Sequence, residues 1–211
     1  MLPKYNVLQQ IINEKIVAVI RGETAEEAVQ VAKSAVHGGI RVIEITYTTP
    51  EVGQVLNQLK NEEVIIGAGT VLDSETARHA ILHGAKFIVS PNFQKSIATL
   101  CNRYAIPYFP GCMTISEIVQ ALESGCDIIK LFPANQFEPS FISSVQGPIP
   151  HVHIMPTGGI SLNNINEWLN AGAVAVGIGS DLTKAFRTGG EVAVKELATE
   201  YVTIIKKDGN L

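Results

Sequence analysis

Two ionisable residues stand where apolar ones belong. Lys130 lies inside the run Ile128-Ile129-Lys130-Leu131-Phe132, and Glu44 inside Val42-Ile43-Glu44-Ile45-Thr46. Both runs have the make-up of buried strands. Side chains alternate faces along a strand, so Lys130 shares its face with Ile128 and Phe132, and Glu44 shares its face with Val42 and Thr46. A lysine is almost never fully buried unless paired. Two chemistries fit such a couple. One is a buried ion pair, which is often no more stabilising than an apolar pair of similar volume. The other is a nucleophile beside its proton carrier. Full burial lowers a lysine pKa by about 3–5 units, and a neutral amine adds to a carbonyl to form a Schiff base. A neighbouring carboxylate opposes that lowering, so these residues alone leave both readings open.

A second kind of chemistry is written in two glycine-rich stretches. "PTGGIS" places Gly158 and Gly159 before Ser161, and "GIGSDL" places Gly177 and Gly179 before Ser180. Glycine lets backbone N–H groups approach an anion, and the amino end of a following helix favours negative charge. Either stretch alone is a common turn. Together, at the ends of two successive strand-like runs, they point to a bound phosphate.

The elements that must position these groups follow from the hydrophobic period. Strand-like runs cover 16–20, 40–46, 64–69, 86–90, 106–110, 127–132, 152–157 and 173–178. Helix-like segments cover 5–14, 24–36, 50–60, 73–82, 94–104, 115–124, 161–170 and 191–206, and the connection 133–151 carries the weakest helical pattern. Thr24 with Glu27 and Thr114 with Glu117 have the spacing of capping boxes. Gly38, Gly84, Gly125 and Gly172 each end a helix before a strand, recurring roughly every 45 residues, and glycine is the usual left-handed helix stop. Eight strands alternating with helices in a repeated double unit favour one closed (β/α)8 barrel, a TIM barrel of the α/β class, spanning 1–211 as a single domain. Such a barrel carries its site at the carboxyl ends of its strands. There the chain offers Arg21, Glu44, Thr46, Thr70, Ser90-Pro91, Pro110-Gly111, Lys130, Thr157 to Gly159 and Gly177 to Ser180.

Composition narrows the function classes. Of the 211 residues 46% are hydrophobic and only 6% aromatic, the palette of a parallel sheet covered by helices. The net charge of -4 and the lack of a basic block argue against a nucleic-acid partner. Three cysteines, Cys101, Cys112 and Cys126, form neither a disulfide framework nor a zinc cluster. No secretory leader or membrane span is evident, so a cytoplasmic setting is expected. His79 and His83 are four apart on a helix-like segment but lack a third ligand, and no metal or other cofactor is expected.

Read in order, "IVAVIRG", "GGIRVIEITYTTP", "IGAGTVLD", "FIVSPNF", "PGCMTISE", "IIKLFPA", "PTGGIS" and "VGIGSDL" make the chain resemble the class I 2-keto-3-deoxy-6-phosphogluconate (KDPG) and 4-hydroxy-2-oxoglutarate (KHG) aldolases, a family that also includes phosphogalactonate aldolases. The motifs run from residue 16 to about 182. The resemblance implies a (β/α)8 barrel, a homotrimer without metal, and a phosphorylated keto acid and pyruvate as small-molecule partners. By motif it implies Lys130 as the Schiff-base lysine and Glu44 as the acid/base. It implies Thr70 for the pyruvate carboxylate, Pro91 beside it, and Gly158, Gly159 and Ser180 for the phosphate. One position departs. Several members carry an arginine where this chain has Thr48, and Arg21 at the mouth of the first strand is the residue able to supply that charge; its alternative role is a salt bridge at the rim. Two rival activities share these features: a phosphate-handling isomerase or epimerase without a covalent intermediate, and a barrel that only binds a phosphorylated metabolite.

Overall fold

The computed structural model describes residues 2–207; Met1 and residues 208–211 of the anticipated 1–211 domain lie outside the described residues. A parallel strand ladder curls back on itself. Its strands are β1 (Ile16–Ile20), β2 (Val42–Thr46), β3 (Ile65–Gly69), β4 (Ile88–Val89), β5 (Tyr108–Phe109), β6 (Gly111–Cys112), β7 (Ile129–Leu131), β8 (Ile154–Pro156) and β9 (Val176–Ile178). One ladder runs β5-β4-β3-β2-β1-β9 and the other β6-β7-β8. The bridge between Thr157 and Gly177 joins them on one side. On the other side β5 lies within the anticipated fifth strand, 106–110, and β6 carries that strand on past its expected end. Pro110 interrupts it, because proline has no N–H to give to the ladder, yet the Pro110 carbonyl still accepts the Lys130 N–H at 2.9 Å. Nine segments therefore make the eight staves of the expected barrel.

Two apolar cores hold the barrel. In β1, Ile16, Ala18 and Ile20 face outward onto the helices, while Val17 faces inward. The inner core joins Val17, Val42, Phe87, Val89, Phe109, Ile128, Met155 and Ala175 to Leu8 and Ile11 of helix α1 (Pro3–Glu14), which plugs the amino-terminal end. Outside pack α2 (Ala25–His37), α3 (Val52–Leu59), α4 (Ser74–Leu82), α5 (Lys95–Arg103), α6 (Ile115–Glu123), α7 (Ser140–Gln146), α8 (Ile165–Asn170) and α9 (Ser180–Lys207). The Thr114–Glu117 capping box forms with both of its bonds, and the Thr24 hydroxyl accepts the Glu27 N–H at 3.1 Å.

Three segments differ from the pattern read in sequence. The weak region 133–151 folds as a short turn of 3-10 helix, Ala134–Gln136, followed by α7. Helix 161–170 begins only at Ile165, because the Asn164 side chain takes the Ser161 N–H and gives its own N–H to the Gly159 carbonyl, building a turn in place of a helical one. The last helix starts at Ser180 rather than 191; Gly190, at φ 64°, breaks it into two segments, a conformation glycine adopts without Cβ strain. Among the described residues no helix is long and apolar enough to cross a membrane.

Candidate active site

The inward phase of the strands brings Lys130 and Glu44 together. Val42 and Ile128 belong to the inner core, so the residues two further along, Glu44 and Lys130, also point into the barrel, one layer nearer its carboxyl end. Lys130 Nζ lies 4.0 Å from Glu44 Oε1, with the two side chains only 6% and 1% exposed. That gap is longer than a hydrogen bond. Neither carboxylate oxygen of Glu44 has any hydrogen-bond partner. Buried charge without donors is costly, so both groups are driven toward their neutral forms. Burial lowers the Lys130 pKa, opposed by the Glu44 charge and assisted by the Arg21 guanidinium. Burial raises that of Glu44, opposed by Lys130 and Arg21. The Phe132 ring covers the amine at 4.8 Å. A structural ion pair is usually closed by direct hydrogen bonds; this couple is open.

Gly69 makes room for the carboxylate. A Cβ built there would fall 1.7 Å from Glu44 Oε1 and 2.4 Å from its Cδ. Gly69→Ala must therefore displace the Glu44 side chain. We expect kcat to fall by roughly 10²-fold, the low end of the loss for a misplaced acid/base. The unfolding free energy, checked by calorimetry on the same sample, should fall only as far as an overpacked methyl dictates, about 1–3 kcal/mol.

Thr70, next in the chain, has φ 56°. A β-branched residue in the left-handed region is a genuine outlier, and such strain gathers at functional sites. Pro91 sits across from Lys130 by way of Gly111, which pairs with Lys130 in register and whose added Cβ would meet the Pro91 carbonyl oxygen at 2.1 Å. The turn at Pro91 is held by buried Ser90, whose hydroxyl bonds the Asn92 carbonyl and lies 2.5 Å from the Tyr108 hydroxyl.

The anion-binding candidates line one cavity of about 250 Å³ with Arg21, Gly158, Gly159 and Ser180 in its wall, beside Phe132 and Thr157. Gly158 and Gly159 have φ 96° and 81°, in the left-handed region that glycine adopts without Cβ strain. Arg21 is exposed, and no carboxylate among the described residues lies within ion-pair reach of it; the rim salt bridge held open above is not formed. Thr48 donates to or accepts from Thr46 at 2.8 Å. Phe132 joins the two halves of the site, since it touches the amine and lies 3.6 Å from the position of a Cβ on Gly158.

One residue of this site went unmarked in the sequence, since Phe132 looked like ordinary core; Thr157, noted there only as a strand end, has its Oγ1 buried without a partner at the cavity wall. The signal for Phe132 was its place two residues after Lys130. Gly69 was legible only as the end of a strand. Elsewhere the sequence readings stand apart from the site. The rings of His79, on α4, and His83, just past its end, lie 4.2 Å apart at a tilt, and His79 Nδ1 is 2.7 Å from the Tyr47 hydroxyl. His151 and His153 line a different cavity, against α1. Cys112 is buried, its thiol pushed up to about 12 by desolvation. Among the described residues no three His, Cys, Asp or Glu side chains cluster as a metal site.

The geometry has counterparts. A family model described as KDPG and KHG aldolase matches residues 7–196. The 2-dehydro-3-deoxy-phosphogluconate aldolase of Treponema pallidum (strain Nichols) is 34% identical over 172 residues, 80% of either chain. The 2-dehydro-3-deoxy-6-phosphogalactonate aldolase of Escherichia coli (strain K12) is 30% identical over 174 residues, 81% of this chain and 85% of that one. Among solved structures, the KDPG aldolase from Legionella pneumophila with pyruvate captured at low pH as a covalent carbinolamine intermediate superposes with a TM-score of 0.81 at 28% identity, over 94% of this chain and 97% of that one. An inward lysine and glutamate beneath a glycine-walled cavity, in a barrel that the family model matches over residues 7–196, belong to a chain that is a member of the KDPG and KHG aldolase family.

Proposed function

We propose that the protein is a class I aldolase that cleaves 2-keto-3-deoxy-6-phosphogluconate reversibly to pyruvate and glyceraldehyde 3-phosphate. The observation that carries this reading is the buried Lys130 amine, its pKa lowered, 4.0 Å from an equally buried and unpartnered Glu44. Neutral Lys130 adds to the C2 ketone, and protonated Glu44 gives its proton to the carbinolamine hydroxyl, which departs as water and leaves an iminium. Glu44, as carboxylate, takes the proton of the C4 hydroxyl. The C3–C4 electron pair flows into the iminium, which releases the aldehyde and leaves an enamine. Glu44 returns the proton to C3, and water hydrolyses the resulting iminium to pyruvate and free amine. One carboxyl serves both directions when its pKa lies near the working pH, and burial moves Glu44 that way. Thr70, Pro91 and the region of Arg21 hold the keto-acid end. Gly158, Gly159 and Ser180 hold the phosphate, and binding at that remote end fixes the reacting carbon.

Incubation with pyruvate and borohydride tests the covalent step: a reduced three-carbon adduct is expected on the peptide containing Lys130, as read by mass mapping. No adduct, or one on another lysine, would sink the Schiff-base reading and favour the non-covalent isomerase. The 30% identity to a phosphogalactonate aldolase keeps the C4 epimer in view as a second substrate, and 4-hydroxy-2-oxoglutarate, cleaved to pyruvate and glyoxylate, as a third. Initial rates on the three compounds, with pyruvate release coupled to an indicator reaction, rank them. Assembly as a homotrimer rests on the same kinship; exposed Leu72, Met113, Ile115 and Val119 offer apolar surface for it, and sedimentation velocity reads the outcome. A cytoplasmic setting suits three free buried thiols.

A further inference from the structure

We propose that Tyr201 is a positioning residue for phosphate recognition, acting by turning the Asp181 carboxylate away from the anion cavity. The proposal rests on the reading that the glycine-walled cavity takes the substrate phosphate. Asp181 follows Ser180 in the first turn of α9. A carboxylate at a helix amino end competes with an anion for the same favourable potential, and it repels a phosphate a few ångströms away. Yet the cavity is lined by Ser180 and Thr183 and not by Asp181. The reason lies behind the wall. The Tyr201 hydroxyl, on a fully buried side chain, donates to Asp181 Oδ2 at 2.9 Å. One buried hydroxyl therefore stands behind the glycine loop that opens α9.

The anchor is firm. The kink at Gly190 folds the second segment of α9 back so that residue 201 reaches residue 181. Val194, Ala198 and Ile205 of that segment are fully buried, and Ala198 packs so closely on Gly38 that a Cβ there would approach it to 2.4 Å.

Tyr201→Phe keeps the ring and removes only the hydroxyl. The freed carboxylate should raise KM for the phosphorylated keto acid about tenfold, the weight of one hydrogen bond to a charged group. Both kcat and the kcat/KM for unphosphorylated 4-hydroxy-2-oxoglutarate should stay within about twofold. Adding Asp181→Asn to Tyr201→Phe should restore the original KM, because the repelling charge is gone. Asp181→Asn alone keeps an acceptor for the phenol, so inorganic phosphate should inhibit that variant at least as strongly as the parent; this arm stands even if Tyr201→Phe does not fold. Equal losses on both substrates, an unchanged KM, a double variant no better than the single, or weaker phosphate inhibition in Asp181→Asn each overturn the proposal. A parent enzyme that neither prefers the phosphorylated substrate nor is inhibited by phosphate would instead sink the phosphate reading beneath it.

Discussion

Lys130→Met is expected to abolish turnover, by roughly 10⁴-fold or more in kcat, the scale of loss when a covalent nucleophile is removed, while the barrel stays folded. Methionine nearly matches the lysine stem in volume and carries no charge into the interior. The amine it replaces is driven toward neutrality by burial, so removing it deletes a desolvation cost rather than a closed ion pair. Glu44 loses its cation in this variant, and burial then keeps the carboxyl protonated. The melting temperature should therefore be retained or raised. Activity assay, borohydride trapping and calorimetry on one preparation decide the matter. A variant that unfolds would show that Lys130 serves as one half of a structural ion pair. A variant that still turns over would remove the covalent mechanism altogether.

Glu44→Gln is expected to lower kcat by about 10²–10⁴-fold, the range for loss of a general acid/base, and to leave the lysine able to be trapped. It should also move the amine. The Lys130 pKa lies below its ordinary value of 10.5, and the Glu44 charge is the influence that holds it up. With glutamine in place that support is gone, so the ammonium form is disfavoured further and the pKa falls again. The acid limb of the trapping rate against pH should shift to lower pH in the variant. A shift to higher pH, or none, would mean that the carboxyl is already uncharged and lends the amine no support. The size of the kcat loss separates Glu44 from a spectator; a loss under about tenfold would move the proton-transfer role to another group.

Much of this molecule was legible because chemistry left local marks. Lys130 and Glu44 stood out as charges at inward positions of apolar strands, and the glycine pairs ended strands at a predictable end of the barrel. The structure brings those residues to one mouth because strand alternation is a strict period of two, so 128 and 130, or 42 and 44, must share a face. What escaped was set by contacts across the fold. The need for glycine at 69 depends on where a side chain from the adjacent strand leans. The late start of α8 depends on one Asn164 side chain outcompeting the backbone. The division of the fifth strand depends on which face of the ladder Pro110 must serve. Asp181 has no visible partner in the stretch "GIGSDL", because that partner, Tyr201, lies 20 residues away beyond a kink.

Helix α1 closes the barrel at the end opposite Lys130, with Leu8 and Ile11 sealed into the inner core. The interior is thus stoppered at that end, and the glycine-walled cavity lies toward the other. Under the proposed cleavage, departure follows depth: a phosphorylated fragment at the rim is expected to leave first, and the three-carbon remainder tethered below it to follow. Ordered release follows from a stopper at the bottom, with no moving lid required.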